Sequence, residues 1–368
     1  MWQVRRPNRE STVVSDLYDW GTALLRRLPA ETAHGIALGS LARGLGPRRP
    51  PVDDPRLRTQ FCGRTIPVPI GVSAGFDKNA VAIGGVFRLG TGFVEVGGVT
   101  PRPQTGNPRP RLFRLAADRA AINRMGFNNE GVDAVAARLE TWRRQPANNL
   151  PVGVNLAANG DSAEPAADFE LLVRRLGPLA DFLTIDISCP NSANGQVFLE
   201  PSRLRDLLAS LHDARSACAE PRPAMLVKLA PDTETAALDT LLDIIVAAGV
   251  DGITVSNTTV ARPATLLSPE RSERGGLSGR PLFAPSTEML RHVYRQTGGR
   301  VPLVGVGGIG SGADAYAKIR AGASVLQLYT ALIFEGPGLI GRICRDLSGL
   351  LARDGFASVA DAVGADHR

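Results

Sequence analysis

The sequence predicts an α/β protein, a (β/α)8 TIM barrel with an N-terminal helical extension. Three observations predict it. Eight short apolar segments recur between residues 69 and 330. The stretches between them are long enough for the crossover helices that parallel strands require. Polar residues gather at the C-terminal tips of these segments, the end where such barrels carry their chemistry.

In chain order, residues 1–14 read as a loose tail. Residues 15–28 then place Leu17, Trp20, Leu24 and Leu28 at helical spacing, and residues 31–45 do the same with Ala33, Ile36, Ala37, Leu41 and Leu45. Arg26, Arg27, Arg43, Arg48 and Arg49 flank these two amphipathic helices, and "GPRRPPVDDP" breaks the pattern as a linker. Residues 1–50 therefore form one unit and residues 51–368 the barrel. The strand candidates are 69–74, 93–99, 151–157, 181–188, 224–230, 252–258, 302–308 and 324–330.

Composition removes several function classes. The chain has 368 residues and a net charge of +6, but its basic residues are nearly all arginine and are scattered, which argues against a nucleic-acid partner. No run of about 18 apolar residues spans a membrane, and the basic N-terminus lacks the apolar core of a secretory signal. The four cysteines (62, 189, 218, 344) and four histidines show no metal-ligand or CxxC spacing, so no metal is expected and a reducing setting fits.

The predicted strand tips carry Ser73, Gly97–Gly98, Asn155, Asp186 with Ser188, Lys228, Ser256 with Asn257, Gly307–Gly308 and Tyr329–Thr330. Asn and Ser end strands commonly. Lys228 is different: it follows "AMLV", is one of three lysines in the chain, and a buried ammonium needs a partner. The spacing Gly305-x-Gly307-x-x-Gly310 after the seventh strand resembles a dinucleotide fingerprint, yet the acid expected about 20 residues on is missing near Tyr329. A single phosphate at the loops after strands seven and eight fits better, as in flavin mononucleotide (FMN). A flexible glycine loop, "RGGLSGRPL" at 274–282, adds close backbone approach. Lys228 would then stabilise the anionic reduced flavin, and Asn123, Asn155, Asn191 and Asn257 suit a heterocycle edged with carbonyls and N–H groups.

The motifs "SAGFDKNA", "VTPRPQTGNPRPRLFRL", "INRMGFNNEG", "VGVNLA", "VKLAPD", "SNTT", "RGGLSGRPL", "VGVGGI" and "LQLYTALIF" together resemble the dihydroorotate dehydrogenases, and within them the quinone-using class 2. The resemblance covers roughly residues 15–345. It implies FMN held by Ala74, Gly75, Asn155, Asp186, Lys228, Ser256, Gly279, Gly308, Tyr329 and Thr330. It implies dihydroorotate held by Lys78, Asn123, Asn191, Asn257 and Thr258, with Lys78 on its carboxylate. Catalytic positions fall on Cys189, Ser192 and Phe127, with Cys189 as the base that takes a proton while the flavin accepts a hydride. His34, Arg114 and Tyr329 match tunnel-lining positions for a quinone. The N-terminal helices would rest on a membrane surface, placing the protein in the cytoplasm, peripheral on the inner face of the cell membrane.

Two positions depart from the family pattern. Class 2 members usually have serine at 189, and both classes usually have asparagine at 186. An aspartate there accepts but does not donate hydrogen bonds, so it would be protonated through burial or would face a cationic or N–H-rich ring. "SANGQ" after the motif and Gly98 near the flavin also differ. A second reading therefore stays open: a paralogue that keeps FMN and oxidises or reduces another ring, such as an enone, lactam or dihydropyrimidine-like compound.

Overall fold

The structure, a computed structural model, describes residues 18, 21–145 and 149–368. Eight parallel strands close into a barrel: β3 (Ile70–Val72), β4 (Phe93–Val99), β7 (Val152–Leu156), β8 (Phe182–Asp186), β9 (Ala224–Leu229), β10 (Gly252–Val255), β12 (Leu303–Val306) and β13 (Val325–Leu328). They neighbour one another in chain order, and β13 returns to β3. Each expected strand is present; β4 matches its apolar run, and the other seven are shorter because residues at the tips leave the ladder to form the mouth.

Residues in these strands are buried on both faces, the pattern expected where helices cover a parallel sheet. The covering helices bury one stripe each. In Leu339–Arg353 the stripe is Leu339, Ile340, Ile343, Cys344, Leu347 and Leu351, and each such aliphatic side chain contributes about 1.5–3 kcal/mol on burial. Proline opens helices Pro165–Leu176 and Pro201–Ser216 at a position where no N–H is needed.

Two small sheets close the ends. The hairpin β1 (Thr59–Phe61) and β2 (Arg64–Ile66) packs Phe61 and Ile66 against Phe93, Phe182, Leu226, Val304 and Val325, plugging the barrel. At the mouth, β5 (Leu112–Leu115), β6 (Ala120–Asn123) and β11 (Gly276–Gly279) form an antiparallel sheet. The stretch expected as a flexible glycine loop is thus partly a paired strand. Glycine is still required in it, since a Cβ on Gly276 would lie 2.0 Å from Thr258 Oγ1.

The N-terminal extension differs from a simple amphipathic pair. Residues 21–25 are helical, Leu17 and Trp20 lie outside the described residues, and the second helix, α1, runs Ala30–Ala42 rather than 31–45. Ala33 and Leu41 are buried, but Ile36 and Leu45 are 46% and 67% exposed, so the expected stripe is split between the protein and its surroundings. Among the described residues no helix is long and apolar enough to cross a membrane.

Candidate active site

The strand tips enclose a cavity of about 1060 Å³, at the upper end of ordinary ligand sites and large enough for a cofactor with a second small ring beside it. Its wall includes Ala74, Gly75, Asn155, Asp186, Lys228, Ser256, Gly279, Gly308, Tyr329 and Thr330. Lys78, Asn123, Phe127, Cys189, Asn191, Asn257, Thr258 and His34 share the same cavity. Two expected residues do not line it. Ser192 turns its Oγ inward, buried and without a hydrogen-bond partner. Arg114 instead donates from Nη1 to the Arg26 and Leu28 carbonyls, at 2.6 and 3.3 Å, tying the N-terminal segment to β5.

The floor is a charged network. Lys228 Nζ lies 3.3 Å from Asp186 Oδ2. Asn257 Nδ2 donates to Asp186 Oδ1 at 3.2 Å and lies equally near Ser188 Oγ. Ser188 Oγ donates to the Lys228 carbonyl at 3.0 Å. Asp186 therefore finds its cationic partner within the protein, where the sequence suggested protonation or a cationic ring. Burial acts to lower the Lys228 pKa, but Asp186 and then Glu95 outweigh it and hold the ammonium charged.

Glu95, Gln327 and Thr184 belong to this floor and escaped the sequence reading. Glu95 accepts from Asn155 Nδ2 at 3.2 Å and from Gln327 Nε2 at 2.5 Å. Burial raises its pKa against the pull of Lys228. The signal was available: a glutamate inside the apolar run "FVEVGGV" is as anomalous as the lysine in "AMLVKLA".

Cys189, 9% exposed, sits just beyond β8. Burial first, and then the Asp186 carboxylate, push its thiol up to about 12. Lys78 donates from Nζ to the Gly75 carbonyl at 2.7 Å, and burial pushes its pKa down to about 8. Asn191 Nδ2 donates to the Asn123 carbonyl at 3.2 Å, while Asn107 Nδ2 donates to the Asn191 carbonyl at 3.1 Å and fixes that loop. Phe127 adopts a left-handed backbone (φ 51°), and its ring lies where a Cβ on Gly98 would come within 2.7 Å. Glycine at 98 thus makes room for the ring.

At one end of the cavity, Gly307 and Gly308 have φ of 104° and 73°, and a Cβ on Gly308 would lie 2.5 Å from the Phe283 backbone. This glycine turn lies beside the first residue of helix α7 (Phe283–Thr297) on the cavity wall, the kind of turn whose backbone N–H groups suit an anion. Thr330 Oγ1 donates to Ser278 Oγ at 2.8 Å nearby. At another edge the His34 and Phe76 rings meet edge-on at 5.4 Å, and Tyr329 OH is 3.5 Å from His34 Nδ1. Burial lowers the His34 pKa to about 4, so the ring is neutral at physiological pH.

A closed barrel whose strand tips converge on one buried cation, a thiol and several amides defines a (β/α)8-barrel enzyme. The chain belongs to the dihydroorotate dehydrogenase family, whose sequence model matches residues 56–351. It is 48% identical over 356 residues to the dihydroorotate dehydrogenase (quinone) of Rhodospirillum rubrum, covering 96% of each chain. It is 46% identical over 351 residues to the mitochondrial dihydroorotate dehydrogenase (quinone) of Mus musculus, covering 94% of this chain and 89% of the mouse protein. A crystal structure of the Eimeria tenella enzyme with ferulenol superposes with a TM-score of 0.88 at 39% identity, covering 92% of this chain and 96% of that one.

Proposed function

We propose that the protein oxidises dihydroorotate to orotate with FMN in the barrel mouth and passes the electrons to a quinone. One observation carries the reading: Cys189, Lys78, Lys228 and the amides Asn123, Asn191 and Asn257 line a single cavity beside a glycine turn suited to a phosphate.

The residues present fit FMN. Gly307–Gly308 and the start of α7 would take its phosphate, Lys228 and Asn155 its ring, and Ala74, Gly75, Ser256, Gly279, Tyr329 and Thr330 its remaining surface. Bound there, FMN supplies the two-electron acceptor that no side chain offers. The chain's own groups do the rest. Lys78 answers the substrate carboxylate as a cation below its pKa of about 8. Asn191 and Asn257, each fixed by a hydrogen bond, present amides to the ring. Cys189, as thiolate, takes the proton from the carbon beside the ring carbonyl and becomes a thiol. Ser192 stands outside the cavity wall, so its contribution would be to hold the loop. Phe127 covers the site.

His34, Phe76 and Tyr329 supply an aromatic passage toward the N-terminal helices, suited to a quinone, with Arg114 as the clamp that keeps the passage formed. The exposed Leu24, Leu28, Ile36 and Leu45 support contact with a membrane surface, consistent with a peripheral protein on the inner face of the cell membrane. Residues 1–50 would act as the cap and 51–368 as the barrel.

The test is anaerobic mixing of the yellow protein with dihydroorotate. Rapid bleaching of the flavin band followed by recovery on adding a quinone is expected. A flavin that binds but stays oxidised would refute dihydroorotate as substrate and turn attention to other rings.

A further inference from the structure

Lys318, in helix α8 (Gly312–Arg320), is fully buried. Among the described residues it forms no ion pair. Its Nζ donates to Ser286 Oγ at 2.8 Å and Thr287 Oγ1 at 3.0 Å, and lies 5.3 Å from the Phe283 ring centre. Burial lowers its pKa to about 7, with Asp314 on its own helix acting to raise it and Arg291 on α7 acting to lower it. A buried cation without a carboxylate is expensive, and an apolar residue would fill the space at no such cost.

The hydroxyls connect this lysine to the cavity. Thr287 Oγ1 donates to the Phe283 carbonyl at 2.6 Å. Ser286 Oγ, with one proton to give, reaches the Gly307 carbonyl at 3.3 Å and the Phe283 carbonyl at 3.2 Å. Gly307, Gly308 and Phe283 all line the cavity. The contact is tight, since a Cβ on Gly307 would lie 2.8 Å from Ser286 Oγ. The lysine thus stands directly behind a turn that lines the cavity, one hydroxyl removed from it.

We propose that Lys318 is a positioning residue for the anion end of the cavity. It orients the Gly307–Gly308 turn and the start of α7 through Ser286 and Thr287, and it supplies a buried amine that is held protonated once the cofactor phosphate answers it. The proposal rests on the FMN reading of the cavity and adds to it a residue that touches neither cofactor nor substrate.

The test compares FMN with riboflavin, which lacks the phosphate, titrated into flavin-free full-length protein and followed by flavin fluorescence. In Lys318→Met, FMN affinity should fall about tenfold or more while riboflavin affinity changes less than about threefold, because only FMN carries the charge that Lys318 meets. Ser286→Ala, which keeps the lysine and cuts its link to Gly307, should show a smaller loss confined to FMN and serves if Lys318→Met does not fold. Calorimetry at pH 8 in two buffers of different ionisation heat should show proton uptake on FMN binding by the native protein, reduced in Lys318→Met. Equal losses for both flavins would mean a merely structural lysine and overturn the proposal, as would unchanged FMN binding. A native protein that binds neither flavin would refute the cofactor reading itself, and the proposal with it.

Discussion

Cys189 and Asp186 set the chemistry at the residue scale, and their charges oppose one another. Burial and the neighbouring Asp186 carboxylate both favour the protonated thiol, while Lys228 favours the thiolate. A base with a raised pKa gains its working form only as pH rises, so flavin reduction at saturating dihydroorotate should climb with pH from 6 to 10, by about tenfold per unit on its steep limb, while the dihydroorotate needed for saturation rises above pH 8 as Lys78 loses its charge. Cys189→Ala should lose about 10²–10⁴-fold of that rate while still binding flavin. Asp186→Asn removes one of the two causes that hold the thiol protonated, so the profile should move to lower pH. Rapid-mixing traces across pH decide this: a profile that is flat above pH 7, or one that Asp186→Asn leaves in place, would remove Cys189 from the role of base. The sequence exposed Cys189, Asp186 and Lys228 as anomalies, but not that Asp186 and Lys228 face each other. That pairing follows from the register of adjacent parallel strands, which places Asp186 of β8 opposite Lys228 of β9, across forty-one intervening residues.

Secondary-structure elements show where legibility ended. The eight barrel strands were readable because each is an apolar run bounded by glycine, proline or polar residues. The sheet over the mouth was not, because β6 and β11 are four residues each and pair Asn123 with Gly276, a contact that no local pattern announces. That sheet is what receives the N-terminal helix. Glu31, in the first turn of α1, contacts Arg111 at 2.8 Å and Arg109 at 3.0 Å, and the Arg111 side chain is only 6% exposed. Glu31→Gln leaves Arg111 its bonds to the Thr105 and Asn107 carbonyls but no countercharge. The helix should loosen where it borders His34. The expected result is a rise in the quinone KM of about fivefold, reflecting lost binding rather than lost chemistry. The dihydroorotate half-reaction should change little at pH 7, below the Lys78 pKa of about 8 that Glu31 helps to sustain. An equal loss in both halves would mean that Glu31 supports the whole barrel and not the passage.

Across the whole molecule, burial divides the chain into a barrel that hides nearly all its large apolar side chains and an extension that does not. Among the described residues, eight large hydrophobic residues are more than a third exposed, and four of them, Leu24, Leu28, Ile36 and Leu45, fall within the N-terminal segment. Single exposed apolar residues need no explanation, but four within about twenty residues, with Arg26, Arg27 and Arg43 among them and Arg48 and Arg49 just after, have the composition of a segment that rests on an anionic interface. The helical spacing of these residues was legible in the sequence. Their exposure was not, because the same spacing serves a helix packed on a core. Full-length protein should therefore sediment with anionic phospholipid vesicles, and partly release at high salt as the arginine attraction is screened. Leu24→Ser with Ile36→Ser should lower that partition by at least about tenfold, since each side chain is worth about 1.5–3 kcal/mol when fully buried. The double variant should bleach with dihydroorotate as fast as the native protein, because neither residue lines the cavity. Vesicle binding that survives the double substitution would place the contact elsewhere on the surface, and its absence in the native protein would leave the quinone to arrive from solution.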